Sequence, residues 1–152
     1  MAIGEICNRE VVFTRRGECV LEAAILMREH HVGSLVVVDD SGGKRVPVGL
    51  ITDRDIAIGV VALGLDPAKA GVGEVMSPEI VCEREDAGVA ETVALMRRKG
   101  LRRLPVVDAA GTLVGLVAAD DLLALLAEEL SGLASMVARE ESREVQQRRA
   151  AP

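Results

Sequence analysis

Two short runs in this chain set a glycine, a small or hydroxylated residue and an acid at the same spacing. The first is Gly49, Thr52 and Asp55, and the second is Gly115, Ala118 and Asp121. In the first, the apolar stretch Val48 to Ile51 ends and a helix is expected to begin at Thr52-Asp53. A helix N-terminus offers unpaired backbone N–H groups and a partial positive charge. A phosphate seated there gains from a hydroxyl donor, which Thr52 carries. A carboxylate one turn in, at Asp55, is able to accept hydrogen bonds from both hydroxyls of a ribose. Gly49 lets backbone approach closely. The pattern matches ribose plus phosphate. It also matches a plain helix start, with Thr52 as N-cap and Asp55 as an early-turn acid favoured by the helix dipole. In the second run Ala118 has no hydroxyl, so the Thr52/Asp55 site is expected to be the better one. Loss of a hydrogen bond to a charged group costs about 1.5–3 kcal/mol.

Other reactive residues form no catalytic pattern. His30 and His31 are neighbours on a helix, which do not face one point, so they read as surface histidines and the expected metal site is none. Cys7, Cys19 and Cys82 are odd in number, irregular in spacing and without a CxxC pair, so they read as small apolar core residues. No Ser-His-Asp order stands out, and no Walker loop or Gly-x-Gly-x-x-Gly is present. The acids at helix starts, Asp53 with Asp55 and Asp120 with Asp121, suit the dipole; as a Mg²⁺ site they would act through a nucleotide's phosphates. No catalytic residue is assigned, and the chain is not expected to be an enzyme.

The elements that position these groups come twice. Shifted by 69, Ile3-Gly4-Glu5-Ile6 falls on Val72-Gly73-Glu74-Val75, Met27-Arg28 on Met96-Arg97, and Leu35, Val37, Val38, Asp39 on Leu104, Val106, Val107, Asp108. Three extra residues in Ser41 to Arg45 then change the offset to 66, which puts Gly49-Leu50 on Gly115-Leu116 and Asp55 on Asp121. Each copy predicts a strand (Val11 to Thr14, Ile80 to Glu83). A helix follows, with its stripe at Val20, Ala24, Met27 or Val89, Val93, Met96. A doubly buried strand comes next (Leu35 to Val38, Leu104 to Val107), then a turn and a second strand (Val48 to Ile51, Leu113 to Val117). A helix from near Asp53 or Ala119 completes the unit. A β-α-β-β-α unit of about 60 residues buries little surface alone, so two units are expected to pack sheet to sheet. The expected class is α+β: two tandem repeats related by a pseudo-two-fold axis, with an extended C-terminal helix. The expected divisions are 1–66, 67–130 and 131–152, joined through Gly64 to Gly71. The last helix carries an apolar stripe, Leu122, Leu123, Leu126, Leu130, Leu133 and Val137, longer than the unit needs. It serves either the chain's own core or a partner. Past Arg139 the sequence is charged and polar and reads as a solvated helix end or frayed tail.

Composition narrows the options. Hydrophobic residues make up 49% of the 152, which allows a core, yet Phe13 is the lone aromatic. Stacking platforms for single-stranded nucleic acid are therefore missing, and a net charge of −6 repels phosphate backbones and anionic membranes. No signal-like start and no run of about 18 apolar residues occurs. With the cysteine usage, this makes the cytoplasm the expected compartment.

The doubled register, the Leu104-Pro105-Val106-Val107-Asp108 strand and the Gly49-x-x-Thr52-x-x-Asp55 run together resemble the cystathionine-β-synthase (CBS) domain family over roughly residues 3 to 130. The resemblance implies a tandem pair, often called a Bateman module, with two clefts that take adenosine-containing ligands such as AMP, ADP, ATP or S-adenosylmethionine. It also implies a homodimer and a regulated partner protein. Carried onto this chain, the preferred cleft holds Leu50, Thr52, Arg54 and Asp55 of the first copy. Met76, Ile80, Val81, Leu101, Arg102 and Arg103 of the second copy complete it. The degenerate cleft holds Leu116, Ala118 and Asp121 with Cys7, Val11, Val12, Val32, Gly33 and Ser34. Arg102 and Arg103 are adjacent beside a strand and point to opposite faces, so one can reach a cleft and pair with phosphate; a surface salt bridge is the alternative. No cofactor is obligatory, and an adenine nucleotide, with Mg²⁺ on its phosphates, is the expected ligand. The alternative function is a structural dimerisation module whose clefts stay empty.

Overall fold

A computed structural model describes residues 1–150. In the first half α1 (Ile3–Ile6), β1 (Phe13–Arg15), α2 (Val20–His30), β2 (Ser34–Ser41) and β3 (Lys44–Thr52) lead into α3 (Asp53–Ile56), which continues as a π-helical turn, Ala57–Val61. The second half repeats this order: α4 (Val72–Val75), β4 (Glu83–Arg84), α5 (Val89–Lys99), β5 (Arg103–Val107), β6 (Leu113–Ala118) and α6 (Ala119–Ala150). Each half makes one three-stranded sheet, β1-β2-β3 and β4-β5-β6. The first strand runs parallel to the middle one in both, and β3 runs antiparallel to β2. The chain divides into two compact units, Met1–Val117 and a second that starts at Ala118.

The apolar run in β2 is buried on both faces, as its composition requires. Leu35 and Val37 face a core built with Val20, Ala23 and Met27 of α2, Ile51 of β3, and Val60 and Val72. Val36 and Val38 point the other way, to Leu113 of the second sheet, with Val11, Phe13, Leu50, Ile80 and Leu116 around them. The alternation of a strand thus gives one face to helices and the other to the opposite sheet.

Gly42 and Gly43, both at positive φ, close the β2–β3 hairpin with the two-residue turn that matches strand twist. A bulge between Val37 and Val38 sets Pro47 into β3. In the second half the turn rests on Asp108. Its carboxylate accepts the N–H groups of Thr112 at 2.9 Å and Ala110 at 2.8 Å, bonds that hold its pKa below the usual range.

The halves are joined by reciprocal exchange. The N–H groups of Ile3 and Gly4 donate to Ala87 and Glu85 at 2.8 and 2.9 Å, and the matching Val72 and Gly73 donate to Glu18 and Arg16 at 2.9 and 3.1 Å. Asn8 and Leu116 pair through two bonds of 2.9 Å, and the matching Ser77 and Leu50 pair through bonds of 2.8 and 3.2 Å. Each N-terminal arm therefore lies on the other repeat, and the equivalence of the pairs is the pseudo-two-fold symmetry.

Two expectations shift. The first strands begin at Phe13 and Glu83, later than Val11 and Ile80. The upstream valines do not pair with a strand: Val11 packs in the inter-sheet cluster and Val12 on the helix-side core. In α2 the fully buried alanine is Ala23, not Ala24. Its counterpart in α5 is Thr92, also fully buried, whose hydroxyl donates to the Gly88 carbonyl at 3.0 Å, so the polar atom is satisfied. Past Arg139 α6 stays helical, the first of the two alternatives read for that charged segment, and it crosses Gly132 unbroken. Of the final segment 131–152, Ala151 and Pro152 lie outside the described residues. No helix among the described residues is long and apolar enough to cross a membrane.

Candidate ligand clefts

Thr52 ends β3 and caps α3 with a full capping box. Asp55 N–H donates to Thr52 Oγ1 at 3.1 Å, while Thr52 N–H and Oγ1 each donate to Asp55 Oδ2 at 2.8 Å. The box orients both side chains at the strand-to-helix turn. Arg54 is exposed, and its backbone N–H donates to Asp53 Oδ1 at 2.8 Å. In the second copy the Ala118 N–H donates to Asp121 Oδ2 at 3.3 Å. Without a hydroxyl at position 118 only half of the box forms.

The reciprocal bridges bring part of the predicted first cleft together. Leu50 is tied to Ser77, Ile80 packs in the same cluster as Leu50, and Val81 is half-buried just beyond. Met76 is buried against Gly49: a Cβ on Gly49 would lie 2.6 Å from Met76 Sδ and 2.8 Å from the Ser77 carbonyl oxygen. The close approach for which Gly49 is needed is thus made by the opposite repeat's arm, a correction to its reading as space for a ligand. Gly115 matches it, with Cys7 Sγ in contact and Cys7 Cβ 3.1 Å from where its Cβ would stand. Leu101, Arg102 and Arg103 follow the left-handed Gly100 at the turn from α5 into β5; Leu101 and Arg103 are half-buried and Arg102 is exposed.

Around the first repeat's arm an open cleft of about 490 Å³ is lined by Val11, Val12 and Val32, three of the residues expected at the second site, together with Asn8, Glu10, Phe13 and His30. Sequence reasoning missed these last four. Two signals pointed to them: Asn8 falls on Ser77 in the repeat, and Phe13 is the lone aromatic. The Arg45 and Arg15 guanidiniums lie 4.8 and 5.4 Å from the Phe13 ring centroid. Leu116 is held to this arm through Asn8. Cys7 is buried at its base, its thiol 3.7 Å from the Gly4 carbonyl. Gly33 and Ser34 sit beside the first repeat's own cap. The Gly33 carbonyl accepts the Asp53 N–H at 3.1 Å, and Ser34 pairs with Thr52 in the sheet.

His30 and His31 are both exposed. Among the described residues no three of His, Cys, Asp and Glu gather as a metal site. Burial pushes the Cys82 thiol up to about 11 and also raises that of Cys7, because a thiolate loses its hydration there. Iodoacetamide should label Cys82 at pH 8 about a hundredfold more slowly in the folded chain than in denaturant. The folded rate should climb with pH until about 11. Peptide mapping across pH checks this, and a plateau near 9 would mean that Cys82 is not desolvated.

The CBS domain family model matches residues 3–61 and 72–128, and the chain belongs to that family. It is 41% identical over 81% of its length to the uncharacterized protein MK0525 of Methanopyrus kandleri, of whose own length the match spans 61%. Among solved structures, Hypoxic Response Protein I with two coordinated zinc ions aligns with a TM-score of 0.69 at 34% identity, over 81% of this chain and 97% of that one; the curated hypoxic response protein 1 is from Mycobacterium tuberculosis. The CBS domain pair of protein MJ0100, in complex with 5′-methylthioadenosine and S-adenosyl-L-methionine, aligns with a TM-score of 0.72 at 26% identity, over 85% of this chain and 98% of that one.

Proposed function

We propose that this chain is a regulatory module that binds an adenosine-containing ligand between its two repeats and passes the resulting change of shape to a partner protein. The observation that carries the reading is the capped strand-to-helix turn at Thr52 and Asp55, on a strand that Leu50 ties to the opposite repeat's Ser77. That turn brings a hydroxyl, a carboxylate and helix N–H groups to the edge of an apolar seam containing Leu50 and Ile80. The MJ0100 pair, similar in fold, holds two adenosine compounds. In this reading Asp55 takes the ribose hydroxyls, Thr52 and Arg54 face phosphate with Arg102 or Arg103, and Met76, Ile80, Val81 and Leu101 flank the adenine. Asp121, Leu116 and Ala118 serve the second cleft with Cys7, Val11, Val12, Val32, Gly33 and Ser34. Mg²⁺ would enter on the phosphates. The repeats are assigned to 1–66 and 67–130, with 131–152 as the extension. The module acts in the cytoplasm as a homodimer, without enzymatic activity and without binding nucleic acid or membrane. Signal transfer requires the ligand to prefer one of two shapes.

The test is a thermal-shift panel of AMP, ADP, ATP, 5′-methylthioadenosine and S-adenosylmethionine, with and without Mg²⁺. A ligand at a hundredfold excess over its dissociation constant adds about 2.7 kcal/mol, a clear rise in melting temperature. Flat melts throughout would favour a second reading, a structural dimerisation module. Its support is that Thr52 and Asp55 already satisfy each other, and that Met76 and Cys7 are occupied in packing on Gly49 and Gly115.

A further inference from the structure

The open cleft of about 490 Å³ beside the first repeat's arm has an apolar wall of Val11, Val12, Phe13 and Val32. Such a wall suits the flat face of an adenine. Among the described residues that line it, Glu10 is the one acid, and none is a lysine or an arginine. The arm holds Glu10 in place: its N–H donates to Asn8 Oδ1 at 2.9 Å, and Asn8 is itself bonded twice to Leu116. The guanidiniums nearby are directed elsewhere. Arg9 donates to the Gly4 carbonyl at 2.9 Å and to Glu85 at 3.3 Å. Arg15 pairs with Asp40 at 2.6 Å, and Arg45 lies over the Phe13 ring without lining the cleft.

The other repeat does not share this charge. In the repeat register Glu10 falls on Glu79, but His30, Gly33 and Ser34 fall on Lys99, Arg102 and Arg103. The arms cross reciprocally, so these positions are equivalent in the two halves. At the second repeat's arm three basic side chains offset one acid. At the first repeat's arm the acid stands without them. A phosphate beside that carboxylate is repelled across a low-dielectric wall. An uncharged thioether meets no such repulsion, and a sulfonium cation is attracted.

We propose that the cleft lined by Glu10 selects adenosine compounds that carry no phosphate, and that Glu10 is the residue that rejects nucleotides there; this rests on the reading that the clefts take adenosine compounds. 5′-Methylthioadenosine and the S-adenosylmethionine cation belong to the selected class, and AMP, ADP and ATP do not. The cleft is open, with Glu10 and His30 exposed. Its ligand is therefore held more weakly than one at Thr52 and Asp55, and is read from amide shifts rather than from melting temperature.

Amide chemical shifts of the ¹⁵N-labelled full chain test it, with 5′-methylthioadenosine and AMP as the probes. The methylthio compound should move the amides of Val11, Val12 and Val32 with an affinity at least about tenfold above that of AMP. Glu10→Gln, at an exposed position and with the backbone bond to Asn8 kept, should narrow that ratio about tenfold. Glu10→Lys should invert it. The dispersion of the same spectra confirms that each variant is folded. AMP moving these amides as tightly as methylthioadenosine would overturn the proposal, as would a ratio that stays the same in both folded variants. Probes that move only the amides around Thr52 and Asp55 would overturn it and leave the proposed function standing. Probes that move no amide at all would sink both.

Discussion

Gly115→Ala should destabilise the chain by about 2–3 kcal/mol, and adding Cys7→Ala should recover much of the loss. At Gly115 a Cβ has no room because Cys7 Sγ already touches that point, with Cys7 Cβ at 3.1 Å and the Asn8 carbonyl oxygen at 3.3 Å. Removing the sulfur removes the worst contact and leaves two that a shift of a few tenths of an ångström relieves. The pseudo-equivalent Gly49→Ala should cost as much or more, and Met76→Ala should not rescue it, because the Ser77 carbonyl oxygen stays 2.8 Å from the new Cβ. That oxygen belongs to the backbone and accepts the Leu50 N–H; moving it breaks the bond that docks the arm. Chemical denaturation of the four single variants and two doubles measures both couplings. Equal rescue in the two halves would mean that side chains rather than backbone set the spacing at Gly49.

Asp55→Ala should abolish the stabilisation given by whichever adenosine compound raises the wild-type melting temperature. Two hydrogen bonds to a carboxylate at about 1.5–3 kcal/mol each correspond to a loss of affinity of at least about a hundredfold. The variant also loses the capping box, worth about 1 kcal/mol, so its ligand-free melt falls and the shift must be read against that baseline. Thr52→Ser keeps a hydroxyl and should preserve both cap and binding. Asp121→Ala should cost less stability, since Ala118 leaves only the 3.3 Å backbone bond to lose. An Asp55→Ala protein that melts lower yet keeps the full ligand shift would make Asp55 a cap and nothing more.

The fold was legible because it depends on patterns that sequence displays. The duplicated register around Leu35–Val38 and Leu104–Val107 predicted two sheets with buried middle strands, and these occupy the predicted places. The strand starts slipped by two or three residues, because Val11, Val12 and Ile80 before them are apolar for another reason: they insert into cores without pairing. The roles of Gly49 and Gly115 were hidden for a different cause. A glycine that admits a ligand and a glycine that admits another part of the chain look the same until the crossing arm is seen. The same limit hid Glu10 and His30. They line a cleft only because the arm carries residue 10 past the end of α2, a juxtaposition that no local spacing encodes.

The exchanged arms also mean that one repeat holds both the donor and the acceptor surface for a copy of itself. The tandem chain amounts to a two-fold dimer with its halves covalently tethered. Tethering fixes the effective concentration of the second half, so the assembly holds together at any dilution. It also releases the halves from identity. A dimer of one repeat must carry the same residue at both strand-to-helix turns, whereas the fused chain carries Thr52 at one and Ala118 at the other, and Ala23 in one helix with Thr92 in its counterpart. Asymmetry between the two turns is a freedom that the linker from Gly64 to Gly71 creates.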